Sequence, residues 1–301
     1  MPEATRRVAV TGASGLIGRA LTRAFEAQRV DVVRIGRSSE STIRWDIDAG
    51  TIDLSALEGV DAVVNLAGAT IARRWTVARQ REIAESRMRA TTLIATAVTR
   101  LRHPPRMLLS GSAVGFYGDR GDELLTEDAS RGTGFLADVA AAWEAATQPA
   151  EAAGIPVSHL RTGIVIARSG GALQKMLIPF RLGLGGRVGS GRQWMSWIGL
   201  HDAVRAVVFA VERSIAGPVN LVGPEPVTNM EFTGVLGAAL RRPTLLPVPA
   251  FAIRATFGAM GRETLLASQR ATPSRLLAAG FRFDDPDIAS ALRRELAGTV
   301  E

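Results

Sequence analysis

The segment that most constrains the fold is the glycine-rich run VAVTGASGLIG at residues 8–18. An apolar stretch of strand character enters a turn, and the turn opens a helix predicted over residues 16–28. The spacing of Gly12, Gly15 and Gly18 is a variant of the dinucleotide-binding fingerprint. Gly12 permits the sharp turn, Gly15 lets the backbone approach a pyrophosphate, and Gly18 lets the helix pack closely on the strand. Because the free N–H groups at the helix start would face the phosphates, the segment predicts nucleotide binding.

Apolar runs that alternate with helical patterns follow along the first half of the chain. Further strands are predicted at residues 30–35, 43–46, 62–69, 107–110 and 157–167, and longer helices at residues 77–101 and 135–153. Six strands interleaved with helices predict an α/β fold of the Rossmann type, a doubly wound parallel sheet with helices on both faces. We predict a dinucleotide-binding domain over residues 1–168, a return segment at about 200–222, and a smaller C-terminal substrate-binding part over residues 169–301.

The end of the second strand predicts which dinucleotide binds. NAD-specific proteins place an acid there for the ribose 2′-hydroxyl, whereas an arginine accommodates the 2′-phosphate of NADP. This chain has Arg37 and Ser38, with Glu40 further out, so NADP(H) is favoured over NAD(H); a solvated loop arginine is the alternative. Asp46 ends the third strand, where adenine contacts often lie.

Composition excludes several classes of protein. No cysteine is present, which excludes disulfides and thiolate chemistry and fits a cytoplasmic protein. No apolar run approaches the length of a membrane span, so no membrane partner is expected. The formal charge is +7, but the arginines are scattered among acids, so we expect anionic small ligands and no nucleic acid. Oligomeric state stays open between monomer and homodimer.

Several stretches carry a resemblance to a known family. They are residues 11–18, 65–68, 110–118, 135–137 with 143–144, 161–165, 185–198, 226–229 and 273–281. Together they resemble the extended short-chain dehydrogenase/reductase superfamily, and more closely its atypical "epimerase family" branch of nucleotide-sugar epimerase-like proteins. The resemblance implies a Rossmann domain with a small C-terminal substrate-binding part and a cofactor site at the carboxyl ends of the strands.

The motif and the resemblance together imply a set of NADP(H) contacts. The predicted cofactor-binding residues are Gly12, Ser14, Gly15, Leu16, Ile17, Arg37, Ser38, Asp46, Leu66, Ala67, Gly68, Arg87, Ser110 and Arg161. Arg87 falls where the superfamily often has an asparagine on the long helix, so it would reach the ribose or a substrate anion. An exposed helix arginine is the alternative interpretation.

The superfamily exchanges hydride with a nicotinamide and uses a tyrosine as acid/base, helped by a lysine four residues later. A free phenol has a pKa near ~10 and needs such a cation at neutral pH. The single tyrosine here is Tyr117, position 121 is glycine, and the single lysine is Lys175, so the usual pair is absent. Ser112 matches the family's catalytic serine, with a turn serine as the alternative. For Tyr117 a structural role is favoured over an acid/base role.

The C-terminal half carries candidates for substrate recognition. Arg192 suits a carboxylate or phosphate, and Trp194 offers a flat apolar wall. Because residues 185–197 are rich in glycine, we expect this segment to order when a ligand binds, with a permanently packed segment as the alternative. His201 beside Asp202 is expected to be structural, and no metal-ligand spacing is seen.

Two functions remain in view. The first is an NADP(H)-dependent oxidoreductase or epimerase-like enzyme that acts on a small carbonyl or hydroxyl compound with a non-standard acid/base. The second is a non-catalytic NADP(H)-binding protein that senses redox state or regulates a partner. The enzyme is favoured because the substrate-side segment is elaborated.

Overall fold

A computed structural model describes residues 6–38 and 41–297, so Glu40 lies outside the described residues. The strands are β1 (Arg7–Thr11), β2 (Asp31–Gly36), β3 (Ile43–Asp46), β4 (Thr51–Ile52), β5 (Ala62–Asn65), β6 (Met107–Ala113), β7 (Leu124–Leu125), β8 (Val157–Thr162), β9 (Ile164–Ile166), β10 (Trp194–Met195), β11 (Trp197–Gly199), β12 (Gly217–Leu221), β13 (Val227–Thr228) and β14 (Arg270–Ala271). The helices are α1 (Leu16–Ala27), α2 (Val77–Val98), α3 (Phe135–Ala145), α4 (Gln148–Ala152), α5 (Gly171–Arg181), α6 (Leu200–Arg213), α7 (Asn229–Leu240), α8 (Ala250–Phe257), α9 (Ala259–Thr264), α10 (Ser274–Ala278) and α11 (Ile288–Ala297).

The central sheet has the strand order β12-β8-β6-β5-β1-β2-β3-β4. Its strands are parallel except for β4, which pairs antiparallel with β3 at one edge. The chain first builds from β1 outward to β3 and then resumes on the other side of β1 with β5. The strand order therefore reverses between β1 and β5, and a crevice for ligands opens beyond the carboxyl ends of these two strands. The predicted α/β doubly wound fold is confirmed.

The middle strands are buried on both faces because helices cover each side of the sheet. Val8 and Val10 belong to the core under α1 and α6, whereas Ala9 belongs to the core under α2. All three side chains have no solvent exposure. The continuous apolar run in the sequence is thus the pattern of a parallel strand enclosed by two layers of helices.

Two predicted elements are interrupted. The strand predicted over residues 157–167 stops at Gly163, where an added Cβ would lie 2.4 Å from the carbonyl oxygen of Ser196. The chain then leaves the central sheet, and β9 pairs with β11 instead. The helix predicted over residues 135–153 is two helices, because Pro149 lies in the first turn of α4 and starts a new helix there.

The C-terminal part forms a second core with short sheets of its own. Leu173, Leu177, Trp197, Phe232 and Leu292 are buried together where α5, α7 and α11 meet. Between β11 and β13, the chain returns through α6 and β12 to the central sheet, where β12 pairs with β8. Among the described residues, no helix has the length and apolar character needed to cross a membrane.

Candidate functional site

The glycine turn between β1 and α1 has the geometry that its spacing predicts. Gly12 has φ +65°, and an added Cβ would lie 2.7 Å from the carbonyl oxygen of Leu66. At Gly18 an added Cβ would lie 2.1 Å from the carbonyl oxygen of Gly12, so only glycine lets α1 approach the turn this closely. Gly15 is the N-cap of α1 and supplies no side-chain cap. The first N–H groups of α1 are therefore free for an anion, and the turn fits a dinucleotide pyrophosphate.

A buried polar network holds the exit of β5 against this turn. Thr11 Oγ1 donates to Asn65 Oδ1 at 2.6 Å and accepts from the backbone N–H groups of Leu66 and Ala67 at 3.0 and 3.2 Å. Asn65 Nδ2 donates to Thr91 Oγ1 at 2.8 Å. These bonds fix residues 66–68 beside Gly12, as the cofactor contacts predicted at Leu66, Ala67 and Gly68 require. The sequence did not indicate that Thr11 and Thr91 hold the exit of β5, although Thr11 lies within the fingerprint itself.

Arg87 lies directly beneath Gly68. An added Cβ at Gly68 would lie 3.2 Å from the Arg87 side chain. The Arg87 Nη1 donates to the carbonyl oxygens of Ala69 and Ile83, both at 3.0 Å, and the guanidinium carbon lies 4.9 Å from the ring centroid of Trp143. No carboxylate among the described residues forms an ion pair with Arg87.

Burial controls the protonation of this arginine. Burial, and secondarily the charge of Arg79, lowers the pKa of the Arg87 guanidinium to about 10. The group stays charged at neutral pH, and its cation is balanced only by carbonyl dipoles and a ring face. An anionic group of a ligand at the β5 exit would complete this environment.

The residues predicted for the adenosine end lie on the surface at two strand ends. Arg37 and Ser38 are exposed at the end of β2, and Ser38 Oγ lies 3.2 Å from Ser41 Oγ. Asp46 Oδ1 accepts from the backbone N–H groups of Asp48 and Ala49, both at 2.9 Å, and so shapes the turn after β3. One of the two Asp46 carboxylate oxygens is thereby engaged within the chain.

At the end of β6, Ser112 contacts an acid that the sequence did not assign. Ser112 Oγ donates to Glu144 Oε1 at 2.7 Å. The same carboxylate accepts two bonds from Arg161, from Nε at 2.8 Å and from Nη2 at 2.9 Å. The neighbouring serine, Ser110, is fully buried on β6. Glu144 lies within a stretch that carries the family resemblance, which was the available signal for it.

Arg161, predicted to contact the cofactor, makes four hydrogen bonds within the protein. Besides Glu144, it donates through Nη1 to Tyr117 Oη and to the carbonyl oxygen of Glu127, both at 3.1 Å. Its guanidinium carbon also lies 3.6 Å from the ring centroid of Phe116. Its side chain is only 5% exposed, so Arg161 serves mainly to position Glu144 and Tyr117.

Tyr117 has no solvent exposure. Its hydroxyl donates to Asn220 Oδ1 at 2.7 Å and accepts from Arg161. Burial raises the pKa of the Tyr117 phenol, although the bond from Arg161 opposes this shift. A neutral phenol that makes two hydrogen bonds in the core suits the structural role that the sequence favours for Tyr117. The single lysine of the chain, Lys175, does not bond to Tyr117: its Nζ donates to the carbonyl oxygen of Ala72 at 3.0 Å.

The residues predicted to bind substrate lie on β10 and just before it. Trp194 Nε1 donates to Asp122 at 2.8 Å, and the guanidinium carbon of Arg270 lies 4.3 Å from the Trp194 ring centroid. Arg192 is exposed. The structure shows no contact of either residue with the glycine turn among the described residues.

Residues 185–197, expected to order when a ligand binds, pack in the structure against residues 245–248. Gly189 N–H donates to the carbonyl oxygen of Val248 at 2.8 Å, and Val248 N–H donates back to Arg187 at 2.8 Å. At Gly186 an added Cβ would lie 1.7 Å from the carbonyl oxygen of Leu246. The glycines here allow two backbones to pack against each other, an arrangement that fits the alternative of a permanently packed segment.

His201 and Asp202 lie at the start of α6, beside Asp284. Their ligand atoms lie within 4.8 Å of one another, a spacing that a metal ion would accept. All three are nevertheless engaged with the protein: His201 Nε2 contacts Asp284 at 2.8 Å, and Asp202 accepts from Arg205 and from the backbone N–H groups of Asp284 and Asp285. The His201 bond to Asp284 lowers the pKa of that carboxyl. The contacts tie α6 to the following loop.

The sequence is similar to that of known proteins along most of its length. A profile of the NAD-dependent epimerase/dehydratase family matches residues 8–223, and a profile of a domain of unknown function matches residues 248–295. An epimerase family protein of Mycobacterium bovis is 47% identical over 290 residues, covering 95% of this chain and 96% of that protein.

Solved structures share the fold over nearly the whole chain. The crystal structure of the human epimerase family protein SDR39U1 with NADPH is 34% identical, with a TM-score of 0.89, covering 97% of this chain and all of that one. A UDP-glucose 4-epimerase from Thermus thermophilus, solved with NAD, has a TM-score of 0.74 at 18% identity, with 98% of this chain and 100% of that one covered. The second likeness concerns the fold alone.

Proposed function

The chain belongs to the NAD-dependent epimerase/dehydratase family, and on this basis we propose that it binds NADP(H) and exchanges hydride with a small carbonyl or hydroxyl compound. The observation that carries the proposal is the glycine turn: an uncapped helix start, closed by Gly12 against Leu66, at the point where the strand order reverses. The human relative solved with NADPH supports the choice of dinucleotide.

The described residues divide into positions for each part of the cofactor. The N–H groups of Leu16 and Ile17 would hold the pyrophosphate, and Arg37 with Ser38 would meet the 2′-phosphate at the end of β2. Gly68 leaves room for the ribose above Arg87. When bound, the nicotinamide supplies the hydride acceptor or donor, and the chain's own residues orient the substrate and handle its proton.

The proton-handling position is Ser112. Its hydroxyl hydrogen is directed to Glu144, so its oxygen can accept from a substrate hydroxyl. In oxidation the substrate proton would pass to Ser112 Oγ as the serine proton passes to Glu144, and in reduction the reverse transfer would supply the proton to the carbonyl oxygen. Tyr117 is buried behind it and positions Arg161. Ser112 and Glu144 would therefore handle the proton in place of the absent tyrosine–lysine pair.

The test follows the reduced nicotinamide. Purified protein with NADPH is given a panel of small aldehydes, ketones and keto-sugars, and loss of the reduced nicotinamide absorbance is recorded for wild type and for Ser112→Ala. Turnover that Ser112→Ala reduces about tenfold or more, with unchanged NADPH affinity, is the expected result. Tight NADPH binding with no turnover of any carbonyl, or of any alcohol with NADP, would instead support the non-catalytic sensor, which the missing tyrosine–lysine pair also fits.

A further inference from the structure

A basic groove lies along the flank of α1, outside the crevice described above. Its volume is about 610 Å³, within the range of about 300–1,000 Å³ typical of small-molecule sites. One wall is α1 and the other is α5. The α1 wall is Leu16, Arg19, Ala20 and Arg23, and the α5 wall is Gln174, Leu177, Ile178 and Arg181.

The two walls share one pattern. On each helix the lining residues stand three and four positions apart, so they form a single face. Each face combines apolar side chains with at least one arginine. On α1 these are Leu16 and Ala20; on α5 the exposed residue is Ile178, since Leu177 is only 4% exposed and belongs to the core. Ile178 is 67% exposed, an uncommon position for an isoleucine with no apolar cover. The groove is thus apolar along its walls and basic at its rim.

The charge in the groove has one sign. Four arginines line it, and no aspartate or glutamate does. Arg19 donates to the carbonyl oxygen of Ser14. Neither Arg23 nor Arg181 forms an ion pair with any carboxylate in residues 6–38 or 41–297. The two guanidinium groups of Arg23 and Arg181, with no carboxylate partner among the described residues, raise the local potential and favour a bound anion.

The groove is separate from the proposed cofactor site, although both begin at α1. The pyrophosphate position is the backbone at the helix start, whereas the groove follows side chains from Leu16 to Arg23, about 10 Å at about 1.5 Å per residue. Arg19 and Arg23 are exposed, whereas Leu21 and Phe25 occupy the buried face of α1.

We propose that this groove binds a small amphipathic anion, an alkyl chain that carries a carboxylate or phosphate headgroup. The alkyl chain would lie on Leu16, Ala20 and the exposed Ile178, and Arg23 and Arg181 would bind the headgroup. A free fatty acid and an alkyl phosphate present the same chemistry to the groove. The proposal is independent of the hydride-transfer function.

The test is calorimetric titration of the whole protein with decanoate and with decyl phosphate, below their micelle concentrations, and with decanol as the uncharged analogue. The variant is Arg23→Gln with Arg181→Gln. The matched control is Arg254→Gln with Arg262→Gln, which removes the same charge from exposed positions on α8 and α9. We expect wild type and the control to bind both anions, and the groove variant to bind them at least about tenfold more weakly.

Decanol is expected to bind wild type as weakly as the anions bind the groove variant, and the ratio of decanoate to decyl phosphate affinity identifies the headgroup. A second variant, Ile178→Asp, places a negative charge on the exposed wall without removing an arginine and should also abolish binding. NADPH affinity, measured on every variant, should not change. No binding of either anion to wild type, equal binding to the groove variant and the control, or equal binding of decanol and decanoate would overturn the proposal.

Discussion

Ser112 Oγ donates a 2.7 Å hydrogen bond to Glu144 Oε1, and Arg161 Nε donates to the same oxygen at 2.8 Å. The serine hydrogen is thereby committed, and its oxygen can only accept from a further partner. A ligand group that meets Ser112 is expected to donate a hydrogen bond, as a hydroxyl does. This relationship places an acid one hydrogen bond away from the serine that the family resemblance marks as catalytic.

Glu144→Gln should destabilise the protein strongly. The Arg161 and Glu144 side chains are 5% and 13% exposed, and breaking a buried ion pair on one side costs about 3–5 kcal/mol. Ser112→Ala removes one hydrogen bond and should cost only about 1 kcal/mol. Urea unfolding of both variants measures the difference. Glu151→Gln is the control, because that side chain is 46% exposed beside His159; equal losses for Glu144→Gln and Glu151→Gln would contradict the prediction.

Tyr117→Phe should lower stability at neutral pH and leave NADPH affinity unchanged. The substitution leaves Asn220 and Arg161 each without one partner, at a cost of about 1–3 kcal/mol. Burial raises the pKa of Tyr117, so the folded state favours the neutral phenol. As pH rises past about 10 the unfolded chain ionises first, and wild type should lose stability more steeply than the phenylalanine variant.

Because Tyr117 is the single tyrosine, the difference between the two pH profiles of stability belongs to this residue. Parallel profiles above pH 10 would show that the phenol ionises as easily in the folded protein. A Tyr117→Phe variant that lost hydride turnover by several orders of magnitude while staying folded would assign the tyrosine an acid/base role instead.

Arg37→Ala should remove the preference for NADP(H). A charge-assisted contact to the 2′-phosphate contributes roughly 1.5–3 kcal/mol, or about ten- to a hundredfold in affinity. Calorimetric titration with NADPH and NADH should show a loss for NADPH alone. Arg44→Ala, an exposed arginine on the neighbouring strand β3, serves as the matched control. An Arg37→Ala variant that still prefers NADPH would refute the assignment.

Arg87→Met should weaken NADP(H) binding about tenfold and leave the free protein nearly as stable as wild type. The stability effect is small because the partners of Arg87 are backbone carbonyls and no buried carboxylate is left behind. Titration with NADPH and thermal unfolding of the cofactor-free protein measure both quantities. Arg81→Met on the same helix, 75% exposed, is the control. Unchanged NADPH affinity would exclude Arg87 from the cofactor site.

Gly186→Ala should destabilise the C-terminal part, whereas Gly234→Ala should stabilise the protein. An added Cβ at Gly186 would lie 1.7 Å from the Leu246 carbonyl oxygen, and at Gly234 it would meet nothing within 4 Å. Alanine in place of an exposed helix glycine contributes about 0.5–1 kcal/mol. Hydrogen exchange at the Gly189 and Val248 amides reports on the first variant. Rapid exchange of both amides in the ligand-free wild type would instead show that the segment orders only when a ligand binds.

The fold and the cofactor turn could be predicted from sequence because their signals are local. The fingerprint depends on residues within one strand, one turn and one helix start, and a glycine is required wherever φ is positive or two backbones meet. The alternation of apolar runs and helical patterns also predicts the sheet locally, because buried parallel strands are apolar on both faces. Interruptions such as Gly163 were missed because the obstructing atom, the Ser196 carbonyl oxygen, comes from a distant segment.

The polar site was decided by the tertiary structure. Ser112 and Glu144 are 32 residues apart, and Tyr117 and Asn220 are 103 apart, so no spacing in the sequence marks them as partners. Whether an arginine binds a ligand or an internal acid depends on what packs beside it: Arg161 meets Glu144, whereas Arg87 meets carbonyls and a tryptophan ring. The sequence determined by itself that the chain has a dinucleotide turn and no tyrosine–lysine pair. Only the folding of β6, α3 and β8 against one another decided which acid lies beside Ser112, because that choice depends on long-range packing.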